Sequence, residues 1–192
     1  MNPQAEASAS LFQRLLGRAF AQLAPAVQHG HQPGERLQLS GQASVRRGSG
    51  LLARALCGVI GFPAAGEAVP VSVHMQTHGA GERWQRRFGT QRFESRFSLG
   101  QGAHQGRLVE QFGPMRFHIA LAVVDGALLW TVCSGTLWAI PLPAMLLPTG
   151  NSREYESEGC FHFHVEIAHP LAGLIVQYRG WLAPADTAPT VP

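Results

Sequence analysis

The feature that most constrains this chain is a period-two alternation of apolar and polar residues from position 84 to position 121. Such alternation is typical of short β-strands that have one buried and one solvated face. Three polar residues, Arg86, Ser95 and Glu110, fall in rows that are otherwise apolar. Because a charge on an inward face is costly unless it is paired, these three residues are the most informative polar positions in the sequence.

The alternation extends well beyond this stretch. A strand is predicted around 37–45, and from 69 onward the chain alternates almost without interruption to the closing segment 174–182. Gly113-Pro114 and Asp125-Gly126 are strong turn signals. We predict an α+β, mainly β fold. It is a curled antiparallel sheet of about 8–9 strands, a half-barrel or barrel, with two helices near the N-terminus packed at its open side.

Two helices are predicted N-terminal to the continuous alternation that begins at 69. Ser10 and Gln13 form a capping box, and helical spacing continues to Ala24, where Pro25 ends the first helix. The second helix spans Ser49 to Ile60. The side of this helix that we expect to pack across the sheet consists of Leu52, Ala55, Leu56, Val59 and Ile60.

Composition sets further limits. The 192 residues, 45% of them hydrophobic, suffice for one packed domain, which we place at 10–183 between disordered termini at 1–9 and 184–192. No stretch approaches the roughly 18 apolar residues of a transmembrane helix, and the N-terminus lacks the pattern of a signal peptide. We therefore predict a cytoplasmic protein without a transmembrane segment. The three cysteines form no C-x-x-C pair, so they predict neither a disulfide framework nor a zinc site.

Every basic residue in the chain is an arginine, and several of them cluster with aromatic residues between 83 and 96. A basic patch of this kind can bind nucleic acid. However, Glu82 and Glu94 interrupt it, and no known nucleic-acid motif is present. A solvated strand face is the simpler interpretation, and we expect no nucleic-acid partner. The arginines concerned are Arg83, Arg86, Arg87, Arg92 and Arg96.

Several motifs together point to a family. They are W-x-R-x-F from Trp84, F-x-S from Phe93, E-x-F-G-P from Glu110, I-P-L-P from Ile140 and P-L-A-G-L-I-V-Q-Y-R-G-W-L from Pro170. As a set they resemble an uncharacterised bacterial family, domain of unknown function 4166, over about Phe12 to Leu182.

In that family, similar domains sometimes follow a nicotinamide-dependent dehydrogenase-like domain in one polypeptide, so the resemblance implies a possible protein partner of that type. It also aligns His31 with a histidine in the family's early turn. This chain has no G-x-G-x-x-G of its own, and we expect no cofactor.

Arg86, Ser95 and Glu110 are the main candidate site, because they share inward rows of near-neighbouring strands. One interpretation is a structural ion pair with a hydroxyl neighbour. The other is a polar floor in an apolar pocket, where the guanidinium orients a ligand carboxylate or carbonyl and Glu110 acts as an acid or base. His31 and Tyr178 are further ligand-binding candidates, with core packing as the alternative for Tyr178.

The polar, solvent-exposed face of one predicted strand contains His162, His164 and Glu166 at alternate positions. We expect no metal ion there. The cysteines Cys133 and Cys160 lie on or beside apolar rows, which favours buried thiols over a nucleophile.

The segment 137–148 breaks the alternation, since it is apolar throughout and contains three prolines. It is either a buried corner or an apolar lid or contact surface over a cavity mouth. The contact residues in the second case are Trp138, Ile140, Pro141, Pro143 and Met145. The helix from Ser49 to Ile60, with arginines nearby, offers a second apolar face that either packs on the sheet or lies on a membrane surface.

Three functions follow from these features. The first is an accessory module that binds an apolar small molecule or lipid inside the curled sheet. The second is an enzyme, an isomerase, cyclase or hydrolase, that uses Glu110 with Arg86. The third is implied by the family resemblance alone: an interaction domain for a separate NAD(P)-dependent dehydrogenase-like protein.

Overall fold

The computed structural model describes residues 9–185, which form three α-helices and eleven β-strands. The helices are α1 (Leu11–Leu16), α2 (Pro25–Gly30) and α3 (Leu51–Ile60), and a 3-10 helix, Gly17–Gln22, joins α1 to α2. The strands are β1 (Arg36–Arg47), β2 (Gly66–His78), β3 (Gly81–Phe88), β4 (Gln91–Leu99), β5 (Leu108–Phe112), β6 (Met115–Val124), β7 (Ala127–Leu137), β8 (Ile140–Pro141), β9 (Ser152–Ser157), β10 (Cys160–His169) and β11 (Gly173–Pro184). The segments 1–9 and 184–192, predicted to be disordered, lie almost entirely outside the described residues.

Ten of these strands close into an antiparallel barrel. They pair in the order β6-β5-β4-β3-β2-β1-β11-β10-β9-β7, and β6 pairs with β7 to complete the ring. The short β8 lies outside the ring and pairs with β7. The predicted curled antiparallel sheet is thereby confirmed. Its strand number is higher than predicted, partly because Glu158 and Gly159, with φ of 53° and 73°, form a turn that separates β9 from β10.

The inward face of the barrel is apolar, as the alternation predicted. The turns at Gly113-Pro114 and Asp125-Gly126 are also confirmed, since Phe112 pairs with Met115 and Val124 with Ala127 across them. Large inward side chains fill the barrel, and those on β1 to β4 are almost fully buried. They are Leu39, Val45, Val71, Val73, Met75, Trp84, Phe88 and Phe97.

One end of the barrel is closed by residues 11–30, which we call the plug. Its predicted capping box is confirmed, since the Ser10 hydroxyl accepts from the Gln13 amide at 3.1 Å and the Gln13 side chain accepts from the Ser10 amide at 2.7 Å. The predicted end of the first helix is wrong. Gly17, with φ of 54°, ends α1, and Pro25 begins α2 instead of ending a helix, because proline fits the first helical turn.

The other end of the barrel is the rim end, where β1 leads into α3. This helix packs with Ala53 and Cys57, which are 0% and 1% exposed, and the Cys57 thiol contacts the Ile175 carbonyl at 3.2 Å. The predicted packing face is therefore only partly right. Leu56 and Ile60 contact the core, whereas the other predicted members, Leu52, Ala55 and Val59, are exposed. Small side chains let the helix approach the barrel wall closely, which periodicity alone does not reveal.

The barrel wall contains a gap in its hydrogen-bond ladder. On its β9 side, β7 pairs through Leu128–Trp130 and again through Thr136–Leu137 with β8. Between these points, Thr131–Gly135 has no ladder partner on that side within the described residues. The lid segment, residues 142–151, spans this gap: Leu142 bonds Gly135, and Thr149 bonds Ala168 on β10 at 2.7 and 2.8 Å.

The segment 137–148 is not a buried corner. Trp138, Ile140 and Met145 are 73%, 68% and 61% exposed, so the first interpretation of this segment is wrong. Its prolines prevent it from continuing the sheet inward, and it projects from the rim end. None of the helices between residues 9 and 185 is long and apolar enough to cross a bilayer.

Candidate functional site

The structure brings the three polar exceptions of the inward rows into one chain of contacts. β3, β4 and β5 are neighbours, with Ser95 opposite Trp84 and Glu110 opposite Phe97. Arg86 donates through Nη1 to the Ser95 hydroxyl at 3.0 Å, and that hydroxyl donates to Glu110 Oε1 at 2.6 Å. Arg86 Nη1 and Glu110 Oε1 are 3.9 Å apart. The serine therefore bridges a charge pair across three strands.

Aromatic rings hold the guanidinium in place. Arg86 Cζ lies 4.9 Å from the ring centroid of Trp84, 5.7 Å from that of Phe93 and 5.6 Å from that of Phe97. Cation–π attraction at such distances offsets part of the cost of removing the charge from water. The guanidinium is thus fixed by ring faces as well as by the hydrogen bond to Ser95.

Two aromatic clusters flank this polar chain. On the plug side, Phe12 stacks on Trp84 with centroids 5.7 Å apart, and Trp84 lies 4.7 Å from Phe97. On the rim side the ring pairs have centroids 5.7 to 6.5 Å apart, and the rings are Phe62, Phe88, Phe93 and Phe112. The barrel interior therefore has a polar belt between two apolar layers.

Tyr178 on β11 faces the same interior. It is 8% exposed and packs against Phe88 at 5.1 Å and Phe163 at 6.2 Å between centroids. Burial raises the pKa of Tyr178 to about 12, with Arg86 acting in the opposite direction and Glu110 and Glu154 adding to the rise. The phenol is therefore a neutral donor at physiological pH. Among the described residues it has no hydrogen-bond partner.

The polar belt has unused hydrogen-bonding capacity. Within residues 9–185, Arg86 Nε and Nη2 and Glu110 Oε2 make no hydrogen bond. The side chains of Arg86 and Glu110 are 16% and 23% exposed although they point inward. None of these atoms, nor the Tyr178 hydroxyl, is among the described fully buried polar atoms that lack a partner. These atoms are therefore accessible to water.

His31 does not join this chain of contacts. It is fully buried beneath the plug, where its Nε2 lies 2.6 Å from Glu154 Oε2 and its ring centroid lies 4.0 Å from that of Phe12. The Trp130 indole donates to the same Glu154 oxygen at 3.1 Å. His31 Nδ1 is buried without a hydrogen-bond partner among the described residues. The histidine therefore anchors the plug to the barrel wall.

Two further carboxylates fasten the plug. Glu82, 3% exposed, accepts from the Leu11 amide at 3.2 Å and from the Trp84 indole at 2.9 Å, and Glu156 accepts from the Ala26 amide at 2.7 Å. Burial raises the pKa of Glu82, while the bond from Trp84, then His31, Leu11 and Arg14, oppose the rise.

Our sequence analysis missed these carboxylates. Glu82 could have been found, because it continues the inward row of Trp84 and Arg86.

The arginines of 83–96 do not form a continuous basic surface. Arg86 points inward, and Arg83 pairs with Glu94 at 2.6 Å, which lowers the pKa of Glu94. Arg96 lies 3.6 Å from the same carboxylate. Cys133 is exposed rather than buried, and it accepts from Arg107 at 2.7 Å. Among the described residues, no group of three or more His, Cys, Asp or Glu side chains is arranged to hold a metal ion.

Comparison with known proteins identifies the family. Residues 23–182 match the family model described as domain of unknown function (DUF4166). The chain belongs to the DUF4166 family. The match covers every strand of the barrel except the last residues of β11, and it begins after α1. No curated protein and no solved structure gives a significant match to the chain.

The motifs on which the resemblance was based lie in two regions of the barrel. Arg86, Ser95 and Glu110 lie in the motifs W-x-R-x-F, F-x-S and E-x-F-G-P. Tyr178 lies in the motif that begins at Pro170. I-P-L-P begins with β8 and leads into the lid segment. The residues that carry the resemblance thus surround the barrel interior and its ladder gap.

Proposed function

We propose that the DUF4166 barrel binds an apolar small molecule whose polar head group lies on Arg86, Glu110 and Tyr178. One observation carries this proposal: a belt of partly satisfied polar groups lies between two aromatic layers in a closed barrel. Binding pockets are typically apolar with a few convergent polar groups. A purely structural ion pair does not require unused donors and acceptors that adjoin accessible space.

The charges of the belt favour an uncharged head group. Arg86 and Glu110 balance each other within 3.9 Å, so an ionised carboxylate on the ligand would compete with Glu110 and be repelled by it. A carbonyl or hydroxyl group instead accepts from Arg86 or Tyr178, and a hydroxyl also donates to Glu110 Oε2. We therefore infer a ketone, aldehyde, ester or alcohol on an apolar body.

The ladder gap supplies a route of access. Val132 on β7 and Val165 on β10 are half-buried beside it, and the lid segment bridges it between Gly135 and Ala168. Displacing that segment breaks few backbone hydrogen bonds, whereas opening any continuous strand pair breaks a whole ladder. A ligand can thus reach the interior without disruption of the ring.

The binding test uses a defined probe, 6-propionyl-2-(dimethylamino)naphthalene, a neutral ketone whose emission shifts to the blue in apolar surroundings. We expect wild-type protein to bind the probe. Arg86→Gln should weaken binding by about tenfold or more, since hydrogen bonds from charged groups contribute about 1.5–3 kcal/mol. Arg87→Gln is the matched control, because Arg87 is exposed on the same strand.

Two results would contradict the binding proposal. The first is that the wild type fails to bind the probe and native mass spectrometry of freshly purified protein shows no co-purifying small molecule. The second is that Arg86→Gln and Arg87→Gln bind equally well. Melting curves of both variants establish that any loss of binding is not a loss of folding.

Acid–base catalysis by Glu110 is a second candidate, favoured by its free Oε2 and its 23% exposed side chain. Under this alternative, NMR of the recovered ligand would show chemical change or exchange of an acidic proton for deuterium. Glu110→Gln should abolish that change while it leaves binding nearly intact. A recovered ligand that is chemically unchanged and undeuterated would exclude the enzyme alternative for that ligand.

A further inference from the structure

Exposed large apolar side chains are concentrated at the rim end of the barrel. Of the nine in the described residues, Val124 alone lies at the plug end, in the β6–β7 hairpin. We call seven of the others the apolar rim: Leu51, Leu52, Trp138, Ile140, Met145, Leu146 and Leu171. A concentration of exposed apolar side chains at one end of a domain is typical of a surface that contacts a partner.

Three segments that lie side by side contribute these residues. The start of α3 lies against the β10–β11 turn, since a Cβ on Gly50 would be 3.8 Å from the Ala172 carbonyl oxygen. That turn follows Ala168, which pairs with Thr149 at the end of the lid segment. The β7–β8 hairpin is joined to the lid segment through the Leu142 amide and the Gly135 carbonyl at 2.9 Å.

The tip of the β7–β8 hairpin projects an aromatic side chain at a conformational cost. Trp138 and Ala139 have φ of 48° and 67°, values that residues other than glycine rarely adopt and that cost about 1 kcal/mol or more each. The turn nevertheless leaves the Trp138 side chain 73% exposed. Packing within the barrel does not account for this arrangement.

The charges around the apolar rim are mainly positive. Arg46, at the end of β1, and Arg54, on α3, are exposed, and so are Arg92 on β4 and Arg116 on β6 near the same end. The acidic residues nearby are Glu67, which is exposed, and Glu166, which accepts from Gln177 at 2.8 Å. Apolar side chains flanked by arginine match a bilayer surface that contains anionic lipid.

We propose that the apolar rim is the surface by which this DUF4166 domain docks on an anionic lipid bilayer. Trp138 lies at the level of the head groups, where tryptophan is enriched in membrane-associated proteins, and Ile140, Met145 and Leu146 enter the acyl boundary beside it. Two surface grooves, around Phe161 and around Arg14, lie at the plug end and not at the apolar rim, and the arginines beside the rim favour an anionic surface as its partner. A bilayer needs no groove.

The test measures binding to vesicles of phosphatidylcholine with and without phosphatidylglycerol, by co-sedimentation and by tryptophan emission. We expect the wild type to bind the anionic vesicles and its emission to shift to the blue. Trp138→Ser should weaken binding by about tenfold, since a buried tryptophan side chain contributes a large apolar area. Arg46→Gln with Arg54→Gln should weaken it by about fivefold for each arginine removed.

A matched pair of variants distinguishes vesicle binding by the apolar rim from nonspecific hydrophobic adsorption. Ile140→Ser at the rim should weaken binding several-fold, whereas Val124→Ser at the plug end should leave it unchanged, because both replace an exposed β-branched residue. Arg86→Gln should also bind vesicles like the wild type, so a failure of membrane docking is distinguishable from a failure of ligand binding. All variants remain testable if they show wild-type melting curves.

Three outcomes would overturn the proposal. The first is that the wild type sediments with neither type of vesicle. The second is that Ile140→Ser and Val124→Ser lose binding equally. The third is that the protein binds no vesicles but forms dimers that Trp138→Ser abolishes, which would make the rim an interface between two copies of the chain.

Discussion

At the scale of single residues, buried and half-buried carboxylates fasten the plug to the barrel. Glu82 and Glu156 accept hydrogen bonds from plug amides, and Glu154 contacts His31, which directly follows the plug. The helical plug is therefore held by polar contacts as well as by apolar packing. A buried acceptor is costly when its partner is removed. The stability of the barrel should therefore depend on the protonation and on the partners of these groups.

Glu82→Gln tests how the stability of the protein depends on protonation of a buried carboxylate. Burial raises the folded-state pKa of Glu82 above its ordinary value of 4.5, so the folded state binds the proton more tightly than the unfolded state. Its stabilising contribution is complete below pH 4.5 and is lost as pH rises through the folded pKa. Relative to the variant, the wild type should lose stability over that interval, by about 1.4 kcal/mol per unit of pKa rise.

Urea unfolding at a series of pH values measures this difference for Glu82. Glu67→Gln is the control, since Glu67 is exposed and its replacement should leave the pH dependence of the wild type unchanged. A constant difference in unfolding free energy between the wild type and Glu82→Gln across the interval would contradict the prediction.

His31→Phe tests how the stability of the protein depends on the hydrogen-bond partner of a buried carboxylate. The replacement keeps the ring contact with Phe12 but removes the partner of Glu154 at 2.6 Å, which leaves a largely buried carboxylate with the Trp130 donor alone. We expect a loss of about 3 kcal/mol in unfolding free energy. The control is His29→Phe, an exposed residue of α2 two positions before His31, for which we expect a change within about 0.5 kcal/mol. Equal unfolding free energies for the two variants would refute the anchoring role of His31.

The inward position of the polar belt residues was predictable from the sequence, whereas the contact between His31 and Glu154 that anchors the plug was not. Arg86, Ser95 and Glu110 each interrupt an apolar row, and parity alone places them on one side of the sheet. Glu154 and His31 are 123 positions apart in the chain. No local pattern in the sequence pairs them, because their contact depends on how the plug enters the barrel.

At the scale of elements, the contact between β1 and β11 shows how closely the backbones pack. A Cβ on Gly180 would lie 2.1 Å from the Gln42 carbonyl oxygen and 2.9 Å from the Ala43 Cβ. Gly180→Ala should therefore destabilise the barrel by about 1–3 kcal/mol through overpacking. Gly58→Ala on α3 should stabilise it by up to about 1 kcal/mol, since nothing lies within 4 Å of the new Cβ and alanine favours a helix.

Thermal melting of the two glycine variants checks this expectation. The opposite signs make each variant the control for the other. A Gly180→Ala protein that melts at the same temperature as the wild type would mean that β1 and β11 separate easily.

The packing face of α3 illustrates why elements are easier to predict than their orientation. The sequence predicts the helix nearly to its ends, because the spacing of Leu52, Leu56 and Ile60 is helical. Leu51, Leu52 and Val59 are also apolar but exposed, so the apolar surface of the helix is wider than the face that packs. The small residues Ala53 and Cys57 decide which side meets the wall, and their advantage appears only when the neighbouring backbone is in place.

At the scale of the whole molecule, the sequence did not decide between a half-barrel and a closed barrel. Curvature depends on register shifts, which occur between Ala43 and Val45, between His118 and Ile119 and between Ile167 and Ala168. Such bulges bend strands and increase their twist, but alternation continues on either side of each of them. The strand pattern therefore predicts the wall, and the bulges that close it are visible only in the structure.

The plug and barrel should unfold as one cooperative unit. They share aromatic contacts through Phe12, Trp84 and Trp130 as well as the carboxylate anchors, so α1 cannot leave without exposing the core. We expect near-ultraviolet and far-ultraviolet circular dichroism to report the same unfolding midpoint. Amide exchange of α1 that is much faster than exchange of β3 would show that the plug opens independently.

For a ligand bound as proposed, the interrupted pairing along β7 has a kinetic consequence. Because the stretch from Thr131 to Gly135 is bridged by a loop instead of a strand, such a ligand would leave while the ten-stranded ring stays intact. Its residence time and the heat resistance of the protein would then depend on different parts of the chain. Substitutions in the loop would change how long the ligand stays, and substitutions in the interior would change the temperature that the protein survives.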